Sequence, residues 1–309
     1  MTGLHRRVRC GRRLNPEMEL QKMTRILRFL KFLVPMVLLI AGASARADDK
    51  SITIGVNNWA ENIAVANMWK LLLAEKGYQV RLQNADKALL YNSVAQGKID
   101  LTFEVWLPAG DKPAFDRVKD HVVKIGPWFK EANLGLVVPD YVPVDRIDQL
   151  NQNKNLFATG GGPKIVGIDS GSSLMQLTEK AKTTYGLDFG IQSSSESAMV
   201  LSLERAIQRK EPIVVTLWKP HWIWSKYKLK YLKDPKGTFG ASDSIYGIET
   251  QVFAKQHPDV EKWLQQWKMD DNSLGSLMSE IIKEGASTPE KGAKVWIDAN
   301  RQLVQQWMH

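Results

Sequence analysis

Two segments of this chain follow the same plan, and few folds accommodate such a plan twice. Ala95-Gln96-Gly97-Lys98-Ile99-Asp100 leads into an apolar run and then Trp106-Leu107-Pro108. Ile207-Gln208-Arg209-Lys210-Glu211-Pro212 leads into a β-branched run and then Trp218-Lys219-Pro220. In each, a helix end feeds a strand, and a proline two residues past a tryptophan stops it. Trp106 and Trp218, with His221 and Trp222, are therefore expected on loops at the C-terminal ends of strands, where open α/β sheets bind ligands. A broad π-face beside an imidazole suits a small polar or cationic guest better than a chemical step. The period is far longer than that of a solenoid, so two similar lobes facing across a cleft are expected.

The intervening pattern agrees. Strands are predicted at 52–56, 78–82 and 101–105, with helices at 63–75 and 89–96 between them. That β-α-β-α-β order implies a parallel sheet with crossover helices. Asn57-Asn58-Trp59 is expected as the loop after the first strand. A second unit places strands at 134–138, 165–168 and 213–217 and helices at 174–185 and 197–209, with a glycine-rich loop at Gly160-Gly161-Gly162. Residues 246–254 read as a returning strand, and amphipathic helices near 259–268, 274–283 and 290–307 complete the first lobe. The fold class is thus α/β, each lobe a mainly parallel sheet flanked by helices, with a ligand cleft between them. Lobe 1 is drawn at 51–137 plus 248–309 and lobe 2 at 138–247; 309 residues suffice for a core in each.

The formal charge of +9 suggests a polyanionic partner only until it is located. Residues 1–47 carry ten Lys/Arg against two Asp/Glu, which leaves 32 basic and 31 acidic residues in the remainder. A nearly neutral body has no electrostatic grip on a phosphate backbone, so no nucleic-acid partner is expected. Within the leader, the basic stretch from Met23 to Lys31 precedes an apolar core from Phe32 to Ala41, and Ala45-Arg46-Ala47 supplies small residues for cleavage. This reads as a secretory signal peptide cut after Ala47, with Met23 as the working start, and implies export to the periplasm. The apolar run is well short of the roughly 20 residues a spanning helix needs.

Catalytic chemistry finds little to work with. Cys10, in the leader, is the only cysteine. Gly167-Ile168-Asp169-Ser170-Gly171 puts serine fourth rather than third, so it is no nucleophile elbow. His121, His221, His257 and His309 stand in no metal-ligand spacing with one another. No enzyme activity, metal or cofactor is expected.

Gly167-Ile168-Asp169-Ser170-Gly171-Ser172, Trp106-Leu107-Pro108, Trp218-Lys219-Pro220-His221-Trp222 and the run Lys226–Leu232 followed by Asp234-Pro235 match one pattern. Together, over residues 51–308, they resemble the glycine betaine/choline-binding proteins of bacterial ABC importers, which have the type II periplasmic-binding fold. The resemblance implies that Trp59, Trp106 and Trp218 box a trimethylammonium group. It also implies that the backbone amides of Ser173 and Leu174, with His221, hold the ligand's carboxylate. Such a cation has no N–H to donate, so electron-rich indole faces are its natural wall, and a helix N-terminus is a ready anion seat. The implied partners are glycine betaine, or choline or proline betaine, and an inner-membrane ABC permease; the chain is expected to act as a monomer. Choline carries a hydroxyl instead of a carboxylate and would favour an acidic acceptor, for which Glu61 and Glu104 are the candidates. Trp69, Trp128, Trp263, Trp267, Trp296 and Trp307 are expected to pack the core.

Overall fold

The computed structural model describes residues 50–158 and 161–309. The leader, its cleavage point, Cys10 and Gly160 lie outside the described residues.

The first unit comprises β1 (Ser51–Val56), α1 (Ala60–Glu75), β2 (Gln79–Asn84), α2 (Lys87–Ala95) and β3 (Leu101–Leu107). A long strand, β4 (Val122–Pro139), leads to the second unit: β5 (Lys164–Val166), α3 (Ser173–Tyr185), β6 (Gly190–Gln192), α4 (Glu196–Arg209) and β7 (Val214–Lys219). Next come β8 (Leu229–Tyr231), β9 (Asp243–Thr250) and the helices α5 (Pro258–Gln266), α6 (Asp271–Glu284), α7 (Pro289–Ala299) and α8 (Arg301–Trp307).

Among the described residues the strands form one sheet in the order β2-β1-β3-β9-β4-β7-β5-β6, with β8 on β4. Its two ends repeat each other. β1 lies between β2 and β3, and β5 between β6 and β7, every pair parallel. Both units are built by the crossover logic of β-α-β segments. The centre is antiparallel: β9 pairs with β3, β4 with both β9 and β7. The sheet is therefore mixed, less parallel than the sequence pattern predicts.

β4 joins the two units. Its residues up to Ala132 pair with β9, and those from Asn133 onward pair with β7. Glu131, at the changeover, has φ of 61°, a left-handed conformation that strains a side-chain-bearing residue by about 1–2 kcal/mol. The sequence reading finds only the last residues of this strand. The ladder absorbs Gly126-Pro127 in a register shift between Ile125 and Phe129, where Pro127 owes no N–H.

The helices that follow β9 pack on the first unit around a cluster of aromatic rings. Trp128 and Trp267 stack at 4.6 Å, and Trp69 and Phe103 meet Trp267 edge-on at 5.5 and 5.2 Å. Trp69, Trp128, Trp267, Trp296 and Trp307 are all buried, and Trp263 is half-buried beneath Lys76. α7 approaches α6 at Gly292, where a β-carbon would stand 2.4 Å from the Ile281 Cα. Only glycine permits that contact. No helix among the described residues is long and apolar enough to cross a membrane.

Candidate functional site

Trp59, Trp106 and Trp218 line a single cavity, with Glu61, Lys87, Glu104, Asp111, Leu134, Ile168, Ser172, Ser173 and Leu174. Their positions differ from the loops that the sequence suggested. Trp106 and Trp218 are the penultimate residues of β3 and β7, and Trp59 is the N-cap of α1. α1 begins three residues earlier than its apolar periodicity predicts, because Ala60, Glu61 and Asn62 already have helical geometry.

Each indole is held by its edge. Trp218 Nε1 donates to Glu61 at 2.8 Å and Trp59 Nε1 to Asp169 at 2.9 Å. Trp106 Nε1 donates to Glu104, two residues back on the same strand, as the period-two alternation of a strand allows. With all three N–H edges engaged, the carbon edges and π-faces are what remains for a guest. Two of these bonds, Trp59–Asp169 and Trp218–Glu61, run between the first and second units. Ala60 N to Glu196 at 2.9 Å does the same; from the second unit, Ser173 Oγ also reaches Asp111, just beyond β3, and Lys219 pairs with Asp271 of α6 at 2.6 Å.

Burial sets the electrostatics. Glu61 and Glu104 are each 1% exposed. Burial pushes the Glu104 carboxyl up to about 7, with Lys87 opposing and Asp111 adding to the shift. Burial, then the nearby Glu104 and Glu196, push Glu61 well above the usual carboxylate range. Glu104 Oε2 has no N–H donor; the neighbouring Glu61 carboxyl shares a hydrogen bond with Glu104 and opposes the rise of its pKa. Asp111 is saturated: it accepts from Trp106 N at 2.8 Å, Tyr91 Oη at 2.9 Å, Ser173 Oγ and, through both oxygens, Lys87 Nζ at 2.7 Å.

The start of α3 forms another wall. Ser172 caps the helix, its side chain accepting from Met175 N at 3.2 Å. The first two amides, of Ser173 and Leu174, have no intrahelical partner by the geometry of any helix start. Both residues face the cavity. Gly167 lets this turn approach the sheet, since a β-carbon there would stand 2.2 Å from the Met175 sulfur.

His221 lies outside this lining. Its Nδ1 accepts from Ile223 N at 3.1 Å, so the neutral ring carries its proton on Nε2, which faces Glu196 at 3.0 Å. His221 does not line the cavity; it packs edge-on to Trp218 at 4.8 Å and orients Glu196. Glu196 in turn receives Ala60 N at the head of α1. Asp169 holds Trp59.

Lys87, Asp111 and Glu196 escape the sequence reading. One signal was available: Lys87 is the first residue of α2, where the helix dipole disfavours a cation, so something else must hold it there.

The substrate binding domain of ABC-type glycine betaine transport systems matches residues 50–299. A glycine betaine/carnitine transport binding protein of Listeria monocytogenes is 36% identical over 146 residues, which span 46% of this chain and just 48% of that protein. A trimethylamine N-oxide-binding protein of Pelagibacter ubique is 33% identical over 312 aligned positions, 91% of this chain and 98% of that one. Among solved structures, the lactococcal OpuAC in its closed, glycine-betaine-bound form is similar, with a TM-score of 0.77 and 33% identity over 84% of this chain and 100% of that one. The helix-flanked mixed sheet is thus the type II periplasmic-binding fold, and the chain belongs to the family of substrate-binding domains of ABC-type glycine betaine transporters.

Proposed function

We propose that this protein captures glycine betaine, or a closely related methylated ammonium zwitterion, in the periplasm and delivers it as a monomer to an inner-membrane permease. The observation that carries this reading is the convergence of Trp59, Trp106 and Trp218 on one cavity. Each indole face contributes about 0.5–2 kcal/mol to a desolvated cation. The methylated nitrogen sits among the three rings, and the oxygen end lies at the free amides of Ser173 and Leu174.

Capture requires opening. The bonds that join the two units across the cavity must part for a ligand to enter. The lobes are 51–137 plus 248–309 and 138–247. They close over the ligand by hinge motion along β4, which belongs to the ladders of both. The bonds that Glu61, Asp169 and Glu196 make across the cleft would form on closure. The coupling supports a transport role, because the closed surface reports occupancy to the permease.

Choline is the second reading, favoured by the buried Glu104 carboxyl in the cavity lining, which would accept a hydroxyl. Calorimetric titration with glycine betaine, choline and proline betaine separates the two. Saturable binding with glycine betaine tightest is the expected result, choline tightest selects the second reading, and no binding by any of them removes both.

A further inference from the structure

A quaternary ammonium box need not contain a cation of its own, yet this one does. Lys87 is 5% exposed and lines the cavity, with its Nζ 4.8 Å from the centroid of the Trp59 ring. Its charge is balanced by Asp111, whose two oxygens lie 2.7 Å away. Tyr91 and Ser173 share that carboxylate, so the ammonium is fixed in place and is a close neighbour of the first turn of α3. An ammonium has three N–H donors, and Asp111 has two oxygens to accept them. One N–H is left for another acceptor in the cavity.

We propose that Lys87 is a specificity-determining residue of this site: its ammonium joins the Ser173 and Leu174 amides to seat the anionic oxygen of a zwitterionic ligand. The placement opposes simple cations. A trimethylammonium group on the Lys87 side of Trp59 would meet a like charge already there, whereas an anionic oxygen on that side meets an N–H donor. The ligand is thereby oriented, with its oxygen on the Lys87 side of Trp59 and its methyl groups among the three rings, of which Trp106 and Trp218 have their edges anchored by Glu104 and Glu61. The preferred class is a methylated ammonium with an anionic oxygen a few bonds from nitrogen. This role rests on the ligand reading given under Proposed function.

The test compares glycine betaine with tetramethylammonium, which lacks the oxygen end, by calorimetry on the wild type and on Lys87→Met. The expected result is that Lys87→Met loses at least about tenfold in affinity for glycine betaine, the strength of a charge-assisted bond. Tetramethylammonium should hold or gain, so the preference collapses. Equal losses for both ligands, or no loss for either, overturn the proposal. If Lys87→Met fails to fold because Asp111 is left buried and unpaired, Lys87→Met/Asp111→Asn removes that charge and must show the same collapse. A wild type that binds neither ligand overturns the ligand reading itself, a result distinct from one in which betaine binds and Lys87 is indifferent.

Discussion

Trp218 offers the sharpest separation of the forces in this cavity, because its two contributions can be removed in turn. It is 2% exposed, its face lines the cavity, and its Nε1 donates to Glu61 at 2.8 Å across the cleft. Trp218→Phe keeps an aromatic face and deletes the N–H. That loss leaves a Glu61 oxygen unpaired and costs about 1–3 kcal/mol, a weakening of glycine betaine binding by roughly 5- to 150-fold. Trp218→Leu also deletes the π-face, at a further cost of about 0.5–2 kcal/mol, or roughly 2- to 30-fold more. Calorimetry is the proper assay, since the substitutions change the fluorescence itself. Circular dichroism melts should accompany it to show that both variants fold. Equal affinities for the Phe and Leu variants would refute the π-face contribution and reduce Trp218 to a latch.

Other expectations follow from individual groups. With the Glu104 carboxyl near pH 7, affinity for choline should rise as pH goes from 6 to 8, by up to about tenfold, as the carboxylate ionises; Glu104→Gln should flatten that profile. The same group has a second signature. Its pKa is raised above the ordinary 4.5, so the folded state holds a proton that the unfolded chain releases, and stability of the free protein should fall between pH 4.5 and 7. Chemical denaturation of the wild type and Glu104→Gln across that window would show it. His221→Ala should weaken glycine betaine and choline alike, because it acts through Glu196 and the head of α1; a selective loss of betaine would place its ring at the ligand after all. Gly292→Ala should lower the melting temperature, with a cost of about 1–3 kcal/mol from overpacking against the α6 backbone, and leave affinity unchanged.

Trp106 and Trp218 were legible as cavity-lining residues because their setting is legible. A strand followed by Trp-x-Pro occurs twice, and the proline that ends each strand fixes where the indole stands. Ser173 and Leu174 were named by the family resemblance alone, and both line the cavity. What remained hidden depends on tertiary placement. β4 was read only in its last residues, and a bulge carries its ladder past Gly126-Pro127. Lys87 and Asp111 lie on a helix and a loop with no shared motif, and only the fold brings them together. His221 follows Trp218 so closely that sequence suggests a common pocket, yet the turn after Pro220 carries its ring to Glu196 instead. Adjacency in sequence settled which residues were near the site and not which way they faced.

The central claim is that charge on a methylated nitrogen, and not its bulk alone, is what three indole faces recognise. The direct measurement compares glycine betaine with 3,3-dimethylbutanoate, its neutral-carbon isostere, by calorimetry under the same conditions. The two share shape and carboxylate and differ only in the charge at the centre of the box. Three faces predict a preference for glycine betaine of at least about tenfold. Equal affinity for the two would mean that the cavity recognises shape and carboxylate alone.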